Sequence, residues 1–123
     1  MSFAVAQYSS ARIATASPLS ILIRLYDGAI AFLIEAQDAL EHNDIPKKAK
    51  ALNRAHAIVS ELMTTLDVRQ APELCAQLSS LYDFVLHQIS KANLEKDADA
   101  LGPAVRVLRE LRSAWAALSA EGG

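Results

Sequence analysis

The chain has 123 residues, of which 52% are apolar and 21% are charged, and its formal net charge is −2. This length fits one domain, and the mildly acidic balance without a large Lys/Arg cluster argues against a nucleic-acid-binding surface. The apolar fraction is slightly above ordinary usage, which hints at a surface kept for a partner protein.

The first residues of the chain are small, polar and loosely patterned, and Tyr8 is one of their few large apolar side chains. Read alone, residues 1–16 predict a flexible N-terminal arm. The alternative is an arm whose Tyr8 docks into a groove of the helical body. The predicted division is therefore an arm at 1–16, a helical body at 17–119 and a frayed end at 120–123.

The first predicted helix covers residues 18–42, with Ser17 as its N-cap and Pro18 at the first helical position. Its apolar residues recur at spacings of three and four, which is typical of a helix packed lengthwise on others. This seam consists of Leu19, Leu22, Tyr26, Ala29, Leu33, Ala36 and Leu40. Flanking apolar residues widen the arc to about 220° at about 100° per residue. The helix is therefore either central or keeps part of its surface for something outside the chain.

The second predicted helix covers residues 46–66, and Asp44 is its candidate N-cap. Its apolar face has the same spacing and a charged or polar face opposite, as in an amphipathic helix. The inner residues are Leu52, Ala55, Val59, Leu62 and Leu66.

The third predicted helix covers residues 72–93 and has an outer face with unusually little charge. Its inner residues are Leu74, Leu78, Leu81, Val85, Ile89 and Ala92, broadened by Tyr82 and Leu86. On the outer face Phe84 projects among Gln77, Ser80 and Gln88, and Asp83 is the only charge from residue 74 to 90. Such a face is suited to receive another helix, although a single exposed aromatic residue is an equal alternative.

The fourth predicted helix covers residues 98–118 and contains an awkward Gly102–Pro103 pair. If Asp97 caps the helix, Pro103 lies beyond the first turn and kinks it; if the regular helix starts near Pro103, no kink is needed. Four helices with short connections predict an all-α, antiparallel up-and-down four-helix bundle with a flexible N-terminal arm.

No residue pattern predicts catalysis, a cofactor or a metal. No Glu is followed three residues later by His, as di-iron bundles require, and the four glycines form no phosphate-binding loop. Cys75, the single cysteine, is interpreted as a half-buried packing residue, and its isolation favours a reducing, cytoplasmic compartment. No signal peptide or run of about 20 apolar residues is present, so membrane insertion is not expected.

Two motifs stand out at the start of the helical body: residues 15–18 (Thr-Ala-Ser-Pro) and residues 25–30 (Leu-Tyr-Asp-Gly-Ala-Ile). They look like the N-terminal signature of the flagellin export chaperones, the FliS family. Further similar pieces are residues 7–8, 43–44, 52–59, 61–62, 66–67, 81–82, 92–93 and 111–115. Residues 70–73 (Gln-Ala-Pro-Glu) depart from the Gly-Gly-Glu-like start of the third helix in many members, and Pro72 is expected to stiffen this connection.

The resemblance implies a cytoplasmic chaperone that binds the disordered C-terminal segment of flagellin and delivers it to the flagellar type III export apparatus, where a gate component is a second partner. It also implies that Tyr8 plugs the client groove when no client is bound. The expected groove or groove-supporting residues are Leu22, Tyr26, Leu52, Ala55, Val59, Tyr82 and Val85, most of which read equally well as bundle core. Phe84 is added independently, from its charge-poor face.

Two other functions stay open at this point. The surplus apolar surface is also explained by a structural homo-oligomer, for example a homodimer that forms without any client. A histidine phosphotransfer domain is a further alternative because such domains are four-helix bundles, and His56 is then the phosphoacceptor.

Overall fold

A computed structural model describes residues 14–122, so the greater part of the predicted arm, including Tyr8, lies outside the described residues. The described chain forms four α-helices and one short 3₁₀ turn, which confirms the four predicted helices. They are α1 (Leu19–Glu41), α2 (Ile45–Thr64), α3 (Pro72–Glu95), the 3₁₀ turn (Ala98–Ala100) and α4 (Leu101–Gly122). α4 continues beyond its predicted end at Leu118.

Helices α1 and α2 are antiparallel neighbours. Lys47, near the start of α2, binds Asp38, near the end of α1, with 3.0 Å between Nζ and Oδ2. Further along α2, the guanidinium of Arg54 lies over the ring of Phe32, 5.5 Å from its centroid. The two helices therefore run in opposite directions, because residues later in α2 contact residues earlier in α1.

Helices α3 and α4 complete the bundle. Lys48 donates from Nζ to the backbone carbonyl of Asn93 at 3.4 Å, which joins the start of α2 to the end of α3. α1 and α3 each pack against both α2 and α4, and they lie diagonally opposite each other. The predicted all-α, up-and-down four-helix bundle is confirmed.

Small residues bring α1 close to its neighbours. Ala29 and Ala36, on the predicted seam of α1, are fully buried. A Cβ atom on Gly28 would lie 3.3 Å from Cδ1 of Ile58, so the missing side chain allows α2 to approach. The wide apolar arc of α1 is thus covered on two sides, by α2 and by α4.

The predicted cap of α1 is wrong, and that of α2 is confirmed. Pro18, not Ser17, is the N-cap of α1 and makes no side-chain cap. The N–H of Ser17 instead donates to Oγ1 of Thr15 at 3.2 Å, which holds residue 17 outside the helix. At α2, Oδ1 of Asp44 accepts the N–H of Lys47 at 3.2 Å, as expected of an N-cap.

The start of α4 decides between the two alternatives for Pro103. Asp97 caps only the short 3₁₀ turn, where its Oδ1 accepts the N–H of Asp99 at 3.0 Å. The α-helix then begins at Leu101, which places Pro103 in the first turn. The missing N–H of Pro103 therefore breaks no intrahelical hydrogen bond.

Candidate functional site

Most of the predicted groove residues meet in the bundle core. None of the seven is more than 2% exposed: Leu22, Tyr26, Leu52, Ala55, Val59, Tyr82 and Val85. They come from three helices and form one continuous cluster. In this arrangement their side chains are not accessible at the surface of the bundle.

Two tyrosine hydroxyls form a polar contact at the centre of this cluster. The hydroxyl oxygens of Tyr26 on α1 and Tyr82 on α3 are 2.5 Å apart, and the two rings are tilted by 47°. One hydroxyl donates to the other across the bundle diagonal. Burial raises the pKa of both side chains, because it disfavours the phenolate.

The indole of Trp115, on α4, lies next to this polar contact without joining it. Its ring nitrogen is near the Tyr26 hydroxyl, but it is buried and finds no hydrogen-bond acceptor among the residues that the structure describes. The aromatic groups of three helices thus converge. Nothing in the helical spacing of the sequence indicates that the N–H of Trp115 lacks a partner.

Phe84 is the predicted binding residue that reaches the described surface. Its side chain is 39% exposed on the outer side of α3. Gln77 and Ser80, on the same charge-poor face, are also exposed. Phe84 is therefore available to a partner without any rearrangement of the bundle.

Other large apolar side chains are exposed at both ends of the bundle and along α1. Ile21 and Ile34 are 42% and 41% exposed and mark the two edges of the wide apolar arc of α1. The remaining exposed apolar residues are Ile45, Val68 and Leu94. The bundle therefore leaves the edges of the α1 arc uncovered, while its middle is fully buried.

The segment before α1 is paired with the connection between α2 and α3. The carbonyl of Ala14 accepts the N–H of Asp67 at 2.6 Å, and the N–H of Ala16 donates to the carbonyl of Thr65 at 3.2 Å. Thr15 and Leu66 thereby form an isolated antiparallel bridge. No pattern in the sequence indicates this pairing, because an isolated bridge has no periodicity.

Cys75 lies under this paired segment. The interpretation of Cys75 as half-buried is wrong: its side chain is 1% exposed, and Sγ donates weakly to the carbonyl of Ala14 at 3.7 Å. Burial raises the pKa of the Cys75 thiol, and the nearby Asp67 carboxylate raises it further. The thiol therefore packs as a small apolar group at neutral pH.

The remaining chemical candidates lie on the surface. His56 is exposed on α2, with Nδ1 3.4 Å from Oγ of Ser60. Asp38, near the end of α1, is also exposed and binds Lys47, whose ammonium group lowers the pKa of the carboxyl. Among residues 14–120, no three His, Cys, Asp or Glu side chains are grouped as a metal ion requires. Within the same residues, no helix is long and apolar enough to cross a membrane.

Comparison with known proteins gives a consistent result. A family model described as flagellar protein FliS matches residues 1–122. The flagellar secretion chaperone FliS of Vibrio cholerae is 34% identical over 104 residues, covering 85% of this chain and 76% of that protein. The protein of the same name from Salmonella typhimurium is 34% identical over 106 residues, covering 85% and 78%. That of Bacillus subtilis is 30% identical over 108 residues, covering 88% and 80%.

Proposed function

This chain belongs to the FliS family of flagellar secretion chaperones, which are not enzymes, and we propose that its client is flagellin. It binds the disordered C-terminal segment of flagellin in the cytoplasm, which prevents premature polymerisation. It then delivers the subunit to the flagellar type III export apparatus, where a component of the export gate is the second partner.

The observation that carries this proposal is the family match over residues 1–122, with relatives named as secretion chaperones. The distribution of exposed apolar residues supports it. Phe84 lies in the middle of α3, and Ile21 lies at the start of α1. An unfolded segment that wraps around a protein contacts such separated points, whereas a symmetric dimer needs one self-complementary patch.

The energetics of such a complex follow from coupled folding and binding. The client loses conformational entropy when it becomes ordered, and burial of apolar side chains offsets this loss. Phe84 is the proposed anchor, because aromatic side chains dominate the binding energy of many interfaces. The buried groove residues keep α1, α2 and α3 in the arrangement that the client recognises.

The proposed role of Tyr8 as a plug depends on how the arm leaves the bundle. Ala14 and Thr15 are buried and paired with the α2–α3 connection. An arm that begins at residue 13 and runs toward the N-terminus therefore starts from a fixed point at this end of the bundle. Deletion of residues 1–13 removes the proposed plug and keeps the described contacts of Ala14, whereas a deletion up to Ala16 removes both.

Co-purification with flagellin tests the proposal. The full chain is expected to retain full-length flagellin but not flagellin that lacks its C-terminal segment. Deletion of residues 1–13 is expected to change the retained amount without loss of folding. Equal retention of truncated flagellin contradicts the mechanism. A dimer whose mass is unchanged by client at all concentrations favours the structural homo-oligomer instead.

A further inference from the structure

A groove between α1 and α4 is not used by the function proposed above. It has a volume of about 520 Å³ and lies between the second half of α1 and the first half of α4. Ile34, Gly102 and Val105 form its apolar part, and Gln37, Arg106, Arg109 and Glu110 form its polar part. Clefts that bind ligands in proteins have volumes of roughly 300–1,000 Å³ and a similar mixture of apolar and polar groups.

The groove is open because α4 has no side chain at one position. A Cβ atom on Gly102 would meet nothing within 4 Å. Ile34, on α1, is 41% exposed, whereas Val105, on the facing helix α4, is only 6% exposed. An aliphatic side chain from outside therefore finds space above Gly102 and apolar contact with Ile34.

The charges beside this space are not neutralised by the described part of the chain. Arg112, further along α4, is bound by Asp27 with 2.8 Å between Nε and Oδ1. Arg106 and Arg109 are exposed and form no ion pair with any residue from 14 to 120. Glu110 is the single carboxylate of the groove lining, so this lining has a net charge of +1 on a chain of net charge −2.

We propose that the α1–α4 groove docks a short acidic segment of a partner protein other than the flagellin client. An aliphatic side chain of this acidic segment fills the space above Gly102. Carboxylates on either side of that side chain pair with the guanidinium groups of Arg106 and Arg109, which suit bidentate recognition of carboxylates. This inference does not depend on flagellin binding.

Fluorescence anisotropy with a designed peptide tests the inference. The probe is a labelled helical peptide of about 12 residues, roughly three turns, with one leucine on each turn of one face and glutamates beside them. The full chain is expected to bind it saturably, and more weakly in high salt. Replacement of the glutamates by lysines is expected to abolish binding. The R106A/R109A variant is expected to bind the acidic peptide at least about tenfold more weakly than the native chain does.

Gly102→Leu provides a test within the groove. The added side chain fills the space without a clash at Cβ, so the chain is expected to keep its melting temperature and lose the peptide. Ser90→Leu, at an exposed position of α3, is the matched control and is expected to bind the peptide as the native chain does. Gly102→Leu is also expected to retain full-length flagellin in co-purification.

Several results overturn the inference. They are undiminished peptide binding by Gly102→Leu, equal binding of the lysine peptide, and displacement of the acidic peptide by a short DNA oligonucleotide. Loss of flagellin by Gly102→Leu, with retention by Ser90→Leu, assigns the groove to the client and also overturns it. Failure of the native chain to retain flagellin, with the peptide results as expected, rejects the proposed function and leaves the groove assignment standing.

Discussion

The hydroxyls of Tyr26 and Tyr82 connect two helices that otherwise touch little, since α1 and α3 lie diagonally across the bundle. Tyr82→Phe is expected to lower the free energy of unfolding by about 1–3 kcal/mol, because it leaves the buried Tyr26 hydroxyl without its partner. The Y26F/Y82F double variant is expected to lose less than the sum of the two single variants. Urea denaturation of all four proteins measures this coupling, and simple additivity contradicts it.

The same pair predicts a loss of stability at alkaline pH. The folded state holds both tyrosine protons more tightly than the unfolded chain, in which the ordinary pKa is 10.0. The stability contributed by the protonated pair is therefore fully present below pH 10 and decreases as the pH rises above that value. Between pH 8 and about 11, the melting temperature is expected to fall more steeply with pH in the native chain than in Y26F/Y82F. Equal slopes contradict the prediction.

Substitution of Phe84 distinguishes a role in binding from a role in packing. Phe84→Ala is expected to weaken binding of the flagellin C-terminal segment about tenfold, as for truncation of an interface anchor. Its effect on the free energy of unfolding is expected to be smaller, because the side chain is 39% exposed. Leu94→Ala is the control: Leu94 is 82% exposed and is not among the proposed client contacts. If both variants bind equally well, Phe84 is not an anchor.

Where segments that are distant in the sequence meet, the environment of an individual residue was harder to predict than the position of a helix. Ser17 and Cys75 were both misjudged for the same physical reason. Each is controlled by residues 14–16, which pair with the connection between α2 and α3. Helical spacing reports only which side of its own helix a residue occupies, so it contains no information about a covering segment.

At the scale of elements, local sequence chemistry was informative. Apolar spacing located all four helices, and Asp44 followed by Pro46 marked the start of α2. The start of α4 required the structure, because Asp97 and Pro103 are compatible with two helix starts. The α1–α4 groove was not predicted, since Gly102 was interpreted only in terms of helix geometry and the packing partner of Ile34 was unknown.

The N-cap of α2 is a testable element-scale feature. Asp44→Ala is expected to lower the free energy of unfolding by about 0.5–2 kcal/mol, because the N–H of Lys47 loses its acceptor. Asp83→Ala is the matched control, since Asp83 is exposed on α3 and lies in no ion pair with the described residues. It is expected to change stability by about 0.5 kcal/mol or less. Chemical denaturation of both variants decides whether the cap is stabilising.

For the whole molecule, the surplus apolar character of the sequence has a structural counterpart. α1 is buried along its middle by α2 and α4, while Ile21 and Ile34 at the edges of its apolar arc are exposed. The middle of α1 is buried, as expected of a central helix. That its uncovered edges are kept for a partner stays a prediction, because a single chain does not show what binds there.

The family match indicates a class of function, which composition alone does not. Net charge and apolar fraction are equally compatible with a dimer and with a chaperone, whereas relatives named as flagellar secretion chaperones match most of the chain. Phe84 and Ile21 then become candidate client contacts, with Phe84 first. Their separation over the bundle favours an extended client.

Isothermal titration of the full chain with the flagellin C-terminal segment tests the central claim most directly. The expected result is saturable binding with a negative heat-capacity change, because a disordered segment buries apolar surface as it becomes ordered. Phe84→Ala is expected to weaken this binding, and Leu94→Ala to leave it unchanged. Absence of binding by the native chain, under conditions in which it is folded, contradicts the claim that its uncovered apolar surface serves an unfolded flagellar client.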